Sequence, residues 1–579
     1  MTGTVAVESF AGSFRSGQAG LIALPFLFPL VAGPSANTWQ FLATWSCAAL
    51  LWLFTRRGLP SRSAWAWLAI LGGAIALHPS KDTAQWLTAC AALAVTAMAA
   101  CIGAGTATRP IRLPHSALAF GLLAAALVSA VLGLLQYYGL AEPLVPWTTA
   151  PERGQAYGNL RQRNQFATLM SMALVAALWL YGAADSARAR AGLAAAALLL
   201  LLGAAASTSR TGLLQWLSIV GVAAFMARRE RRGAPDGRRV GTASDDLQAP
   251  PQRFRLPPPL ALLALIPLYF AAGWLLPQLT GGAAVEGMLQ RLREGAPMGH
   301  SRMILWRNVL TLIGERPWTG WGWGELSFAH YITLYPGPRF VEILDNAHNL
   351  PLHLAVELGV PAALLICGGF AGLVLAARPW AERDPQRLMV WGVLGVIVLH
   401  SLLEYPLWYG PFQLVFGLCL GVLWPGRRVK SSAPRAMKAV ASAGSAVAAA
   451  ALLALVGYAA WDYTRVSQLF LARHERLPAY RDDTLARVQD SRLFAGHVRF
   501  AELMLTPITA ANAPRVHALA ERVLHFSPEP RVIEKLIESA TLLGRDDEAA
   551  AHALRFRIAF PQEYGRWLKG SSTDGSRSH

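Results

Sequence analysis

The chain has 579 residues, 54% of them hydrophobic and only 15% charged, with a formal net charge of +18. A soluble protein of this length would carry roughly a quarter charged residues, so the composition excludes an ordinary soluble fold. Most of the positive charge lies in short loops beside apolar runs, where membrane topology explains it without nucleic acid.

Thirteen apolar runs follow in chain order, at 18–34, 38–54, 62–78, 84–104, 115–138, 164–183, 191–206, 212–227, 258–277, 351–376, 388–403, 407–424 and 437–461. Runs of about 17–25 residues cross a hydrocarbon core as helices, whereas barrel strands are shorter and alternate. The expected fold class is therefore all-α and polytopic. The first run follows a single Arg15 and reads as a retained helix rather than a cleaved signal. Arg56-Arg57, Arg109 with Arg112, Arg188 with Arg190, Arg228 to Arg232, Arg378 with Arg383 and Arg427-Arg428 fall on one side, which the positive-inside rule makes cytoplasmic. The N-terminus shares that side and the C-terminus lies opposite. All five cysteines (Cys47, Cys90, Cys101, Cys367, Cys419) sit inside apolar runs, so no disulfide framework is expected. No CxxC, zinc-ligand spacing, Walker A or Rossmann glycine pattern occurs, and no acidic cluster on an outer loop suggests a divalent metal. The chemistry reads as cofactor- and metal-free.

The expected domains are 1–277 as N-terminal transmembrane helices, 278–350 as a periplasmic catalytic loop, 351–461 as C-terminal transmembrane helices and 462–579 as a periplasmic helical domain. Residues 234–259 are Pro- and Gly-rich and read as a flexible cytoplasmic linker. In the tail, 514–526, 529–543 and 546–560 read as amphipathic helices, either a degenerate tetratricopeptide hairpin or a plain helical cap. Residues 570–579 read as disordered.

A few cations sit on the outer side against the topology bias. Arg161 and Arg163 flank the start of the sixth span, where Asn164 reads as an N-cap and the positive end of the helix dipole favours an anion. Snorkelling to lipid head groups is the plainer alternative for both. Gln165 lies one turn inside the membrane, where an idle amide is costly. Arg210 is the one charge in the turn Ser207 to Gly212, and its guanidinium can fork onto phosphate oxygens. In the long loop, His300-Ser301-Arg302 opens a helix-like run and Asn346-Ala347-His348-Asn349 precedes the tenth span, with Asp345 close by. A histidine there can take a proton from an attacking hydroxyl. Trp318, Trp321 and Trp323 read as an interfacial aromatic belt, with sugar stacking as the alternative. In the hairpin His400 to Tyr409, His400 and Glu404 could pair one helical turn apart, Tyr405 could orient a substrate group, and Trp408 and Tyr409 read as interface anchors.

Together Ser301-Arg302 with Trp306, the Pro317…Gly320-Trp321-Gly322 turn, and Asn346-Ala347-His348-Asn349 followed by Glu357-Leu358-Gly359 resemble the bacterial O-antigen ligase and polymerase superfamily. Gly158 to Gln165 and His400 to Tyr409 look more like its protein O-oligosaccharyltransferase branch, the pilin-glycosylating type. The similarity covers roughly residues 20–460. It implies an oligosaccharide donor on undecaprenyl pyrophosphate and a Ser or Thr acceptor on an exported, pilin-like protein. The expected enzyme is an inner-membrane glycosyltransferase with a periplasmic active site. His348 would be general base or acceptor orienter, with Gln165 and Tyr405 beside it, and Arg210 and Arg302 would hold the pyrophosphate. Arg161 and Arg163 join that set on the charge argument. O-antigen ligase or polymerase activity on lipid A core or glycan is the nearest alternative; a lipid transporter or membrane scaffold is the alternative of another class.

Overall fold

The computed structural model describes the chain except for residues 1–15, 36, 79, 81–82, 108–112, 233–253, 281–300, 427–434 and 576–579. His300 and most of the linker expected at 234–259 lie outside the described residues. The described residues contain no strand, only an isolated bridge between Pro60 and Pro425.

Each apolar run is occupied by a helix. In order they are α1 (Ser16–Leu27), α2 (Thr38–Phe54), α3 (Arg62–Leu77), α4 (Thr83–Ala107), α5 (Leu113–Tyr137), α6 (Arg163–Ala183), α7 (Ala187–Ala206) and α8 (Arg210–Arg232). The ninth run is α9 (Pro259–Leu263) with α10 (Leu265–Gln278), interrupted ahead of Pro267, whose ring clashes with the carbonyl one turn back. Among the described residues eight helices are long and apolar enough to cross a membrane; α1, α3 and α16 (Gly410–Leu423) are shorter apolar helices.

The tenth run is not the single helix expected. It splits into α13 (Leu350–Leu358) and α14 (Val360–Ala377) at Gly359, which has φ 86°. The reason lies in the loop. The turn at Pro317–Gly322 docks into the break, with Trp321 N donating to Val356 O at 2.8 Å, Gly322 N to Glu357 O at 2.9 Å, and Val360 N to Pro317 O at 2.8 Å. Freed helix carbonyls thus find backbone partners in another segment. A Cβ at Gly320 would strike the Glu357 backbone and one at Gly359 would strike the Trp318 carbonyl, so both glycines are required by this close approach.

α6 and α16 form the centre. Every residue of α16 is buried, as an all-round apolar helix requires, and it lies against α4 through Gly417 and Gly421. α6 is bordered by α5, α7, α8 and α15 (Pro385–Ser401). The long loop carries α11 (Arg302–Glu315) and α12 (Leu326–Ile332). Leu305, Val309 and Leu312 of α11 pack with Leu326, Phe340, Leu344 and Val356 in a small core shared with α13.

α17 (Arg435–Ser467) runs past the expected end of the last span and leads into the tail. The three expected tail helices appear as α19 (Ala513–Phe526), α20 (Pro530–Leu542) and α21 (Asp546–Ala559), each packed on the next. Two more, α18 (Ala495–Leu505) and α22 (Pro561–Gly575), flank them, so helix continues past Gly570, where disorder was expected. The tail core takes in Tyr331 of α12. His525 of α19 stacks on Phe328 at 3.7 Å with Nδ1 2.5 Å from Glu325 Oε2, and His552 of α21 meets the Tyr331 hydroxyl at 3.1 Å. Loop and tail therefore share one interface.

Candidate active site

Glu404 is the hub. It follows the end of α15, with its side chain only 5% exposed. Its Oε1 accepts from Asn164 Nδ2 at 2.9 Å and pairs with the Arg302 guanidinium. Its Oε2 lies 2.9 Å from His348 Nδ1. Burial alone would push this carboxyl up, but His348 and Arg302 more than offset it and hold Glu404 below the usual carboxylate range.

The local chain explains how each partner arrives. Ser301 caps α11 by accepting from Met303 N at 3.2 Å, which puts Arg302 at the first helical position. Asn346 Oδ1 accepts from the His348 amide at 2.9 Å, fixing a turn in which His348 takes φ 50°. Asn349 Oδ1 caps α13 through Leu352 N at 3.1 Å, and its Nδ2 donates to Leu402 O at 2.9 Å, tying the loop to the Glu404 hairpin. Trp306 Nε1 donates to Ala347 O at 3.1 Å. Every residue of Asn346-Ala347-His348-Asn349 thus either makes the turn, anchors it or faces Glu404.

Asn164 does not cap α6 as expected. Gln162 does, its Oε1 accepting from Gln165 N at 2.7 Å. The Asn164 side chain instead bridges the site, accepting from Ser209 Oγ at 2.6 Å while donating to Glu404. Arg210 is the next residue after Ser209 and opens α8, so its turn is joined to Arg302 and His348 through Asn164 and Glu404.

The expected His400–Glu404 pair is not made. The helix ends before Glu404, whose side chain turns to Arg302 and His348, and fully buried His400 meets the Thr168 hydroxyl through Nδ1 at 2.9 Å. Tyr405 sets its ring edge-on to His348 at 5.0 Å and stacks on Tyr409 at 5.9 Å. The Tyr409 hydroxyl in turn contacts the Gln165 side chain. Gln165, Tyr405 and His348 therefore line one continuous group, and Tyr409 is part of it rather than an interface anchor. Trp408 is also internal: it stacks on Trp323 at 6.1 Å and takes His353 edge-on at 4.6 Å. Of the expected aromatic belt only Trp318 is exposed; Trp321 packs in the loop core with Arg316 over its ring at 4.1 Å.

Arg161 and Arg163 part company. Arg161 has φ 59° and donates to Pro29 O at 3.3 Å and Leu30 O at 2.9 Å, bracing the stretch after α1. Asn159 braces the same stretch through Leu27 O at 2.8 Å. Arg163 is exposed at the start of α6. Buried Gln165 Oε1, Asn346 Nδ2 and His400 Nε2 find no hydrogen-bond partner among the described residues. Sequence reasoning passed over Glu404 as the hub and Asn164 and Ser209 as its links. The signal for Glu404 was a carboxylate at the end of a span, where an idle charge is expensive.

Residues 156–181 match the protein glycosylation ligase family, 195–367 the O-antigen ligase family, and 388–573 the C-terminal region of the virulence factor membrane-bound polymerase family. A general O-oligosaccharyltransferase of Acinetobacter baylyi is 29% identical over 169 residues, covering 27% of this chain and 28% of that protein. A ComP-specific O-oligosaccharyltransferase of the same organism is 27% identical over 126 residues, covering 22% of this chain and 23% of that protein. The chain thus spans only about a quarter of the length of the curated relatives it matches. The Glu404 hub draws on all of these stretches or their immediate borders, with Asn164 in the first, Ser209, Arg302 and His348 in the second and Glu404 itself in the third. By these matches the chain is a multi-pass membrane protein similar, over separate stretches, to the O-antigen ligases and protein O-oligosaccharyltransferases.

Proposed function

We propose that the protein transfers an oligosaccharide from undecaprenyl pyrophosphate to a Ser or Thr hydroxyl of an exported, pilin-like protein, at the periplasmic face of the inner membrane. The observation that carries this reading is the meeting of Arg302, His348 and Asn164 on Glu404, from three distant parts of the chain. The periplasmic placement rests on the charge bias of the loops. The partition into two helical membrane regions, a catalytic loop and a helical tail is part of the same proposal.

Each residue has a role that its geometry permits. With Nδ1 on Glu404, the His348 ring is held in the tautomer that leaves Nε2 as the base, the logic by which a carboxylate orients a catalytic imidazole. Nε2 takes the proton as the acceptor oxygen attacks C1 of the first sugar; the C1–O bond breaks and the electron pair leaves with the diphosphate. Negative charge then grows on the diphosphate oxygens, where Arg302 and Arg210 stabilise it, with Arg163 at the mouth of α6 assisting. Arg161 is committed to the chain at Pro29 and Leu30 and supports the wall of the site. Gln165 and Tyr405 position the acceptor or the phosphate. The step needs no metal, since guanidinium groups supply the charge that a cation would. Buried polar atoms without partners, such as Gln165 Oε1 and Asn346 Nδ2, cost roughly 1–3 kcal/mol each. Their retention suits a site that pairs them with substrate.

The O-antigen ligase match favours one second reading, in which the acceptor is a lipid A core sugar or a growing glycan. Purified protein with a lipid pyrophosphate-linked glycan and a pilin decides between them. A mass-shifted pilin is expected. An unshifted pilin, with restored lipopolysaccharide ladders in a ligase-deficient strain, would favour the second reading.

A further inference from the structure

The tail holds a group of side chains that the transfer reaction does not use. His517 of α19 is buried, its side chain 3% exposed, yet its Nε2 has no hydrogen-bond partner among the described residues. That nitrogen faces two carboxylates. Glu548 Oε1 of α21 lies 3.2 Å away and Glu521 Oε1, one turn along α19, lies 3.7 Å away. All three atoms fall within 4.8 Å of one another.

The protonation of the ring follows from its other side. His517 Nδ1 lies 3.3 Å from Ser539 Oγ. The Ser539 hydroxyl has a single proton and already donates to the helix carbonyls of Lys535 at 2.7 Å and Leu536 at 3.1 Å. Oγ can therefore only accept, and Nδ1 must carry the N–H. In the neutral ring Nε2 then presents a lone pair to two carboxylate oxygens, an arrangement that is repulsive unless a cation sits between them. A proton is one such cation, but Nε2 makes no hydrogen bond to either carboxylate among the described residues, and charge-assisted N–H···O bonds typically close to about 2.7–2.9 Å. Ligands about 2.0–2.2 Å from a tetrahedral zinc stand about 3.3–3.6 Å apart, and the two separations of 3.2 and 3.7 Å fall just either side of that range. The Nδ1–H donating to a hydroxyl is also the outer contact that metal-binding histidines use to fix their orientation.

We infer that His517, Glu521 and Glu548 form a site for a divalent transition-metal ion of the zinc type, which clamps α19 to α21. Imidazole with two carboxylates selects such an ion over calcium or magnesium, which take all-oxygen sets. The clamp has a structural consequence. The same two helices carry His525 and His552, the residues that grip Glu325 and Tyr331 of the loop. An ion between α19 and α21 therefore stiffens the surface on which the loop rests. The site is separate from the Glu404 hub, and the inference does not depend on the transferase reading.

The test uses the full chain without a polyhistidine tag, stripped with chelator, then given zinc alone and desalted. One equivalent of zinc is expected to remain, and zinc is expected to raise the unfolding temperature of the tail. Glu548→Gln and Glu521→Gln should each weaken zinc binding by at least ~10-fold and abolish the thermal shift, since losing a ligand costs no less than losing an outer contact. Glu521 is 56% exposed, so its substitution leaves folding intact even if a His517 variant does not fold. His525→Gln, outside the site, should keep the metal. Failure of the wild-type chain to retain zinc, or equal retention in the two glutamine variants, would overturn the inference and leave His517 as an imidazolium ion pair.

Discussion

At the residue scale, Glu404 shows why a buried carboxylate can be retained beside a membrane. Three donors converge on it, so the desolvation of one charge is offset by Arg302, Asn164 and His348 together. Its folded-state pKa is depressed, so its contribution to stability is present above the ordinary carboxylate range and is lost as pH falls through its lowered folded value. Glu404→Gln should therefore destabilise the hub at neutral pH, and the difference from wild type should shrink in acid; urea unfolding across pH checks this. His348→Ala should lower kcat by about 10²–10⁴, a loss larger than the destabilisation from taking one of its partners from buried Glu404 explains; activity and melting temperature measured together check this. Arg161→Met separates support from chemistry. It should lower the melting temperature while leaving KM for the lipid-linked donor within about two-fold, since its donors serve Pro29 and Leu30. A large rise in KM would return Arg161 to the pyrophosphate site.

At the element scale, the glycines at Gly320 and Gly359 belong to one joint. The loop turn fills the gap between α13 and α14, and both positions combine positive φ with backbone contact. Gly359→Ala should cost about 2–4 kcal/mol, from left-handed strain plus overpacking, and should expose the loop to protease. Near-wild-type protection would show that the joint is not rigid. This joint also marks the limit of what the sequence made legible. Apolar runs located α2 to α8 because length and hydropathy are local properties. The break at Gly359 escaped, because it depends on a turn some forty residues earlier that supplies the missing hydrogen bonds. Amphipathic spacing found α19, α20 and α21 in the tail for the same local reason. The short packing helix α18 lacked so clear a boundary.

At the scale of the whole molecule, the loop is held from two sides. Its α11 shares a core with α13 of the membrane part, and its α12 is gripped by the tail. The tail has its own pH response. His497 is enclosed by Phe526 at 5.0 Å and Phe494 at 6.1 Å, and burial pushes its pKa down to about 4. The unfolded chain binds that proton near pH 6.5 while the folded tail refuses it, so tail stability should fall as pH drops from about 6.5 to about 4. Melting temperatures over that window should show the decline, and His497→Phe should make it shallower. An unchanged slope would mean that other groups set the acid response. Of the site, the cations and His348 were legible as charges on the wrong side of the topology. Their convergence was not: a carboxylate at the end of a span marked Glu404 as costly, but its links through Asn164 and Ser209 exist only when α6, α8, α11 and α15 meet.

The most direct test of the central claim measures donor binding and transfer separately in two variants. His348→Ala should bind the lipid pyrophosphate-linked glycan as wild type does, yet give no mass-shifted acceptor. Arg302→Met should lose donor affinity first. Acceptor modification by His348→Ala at close to the wild-type rate would contradict the account.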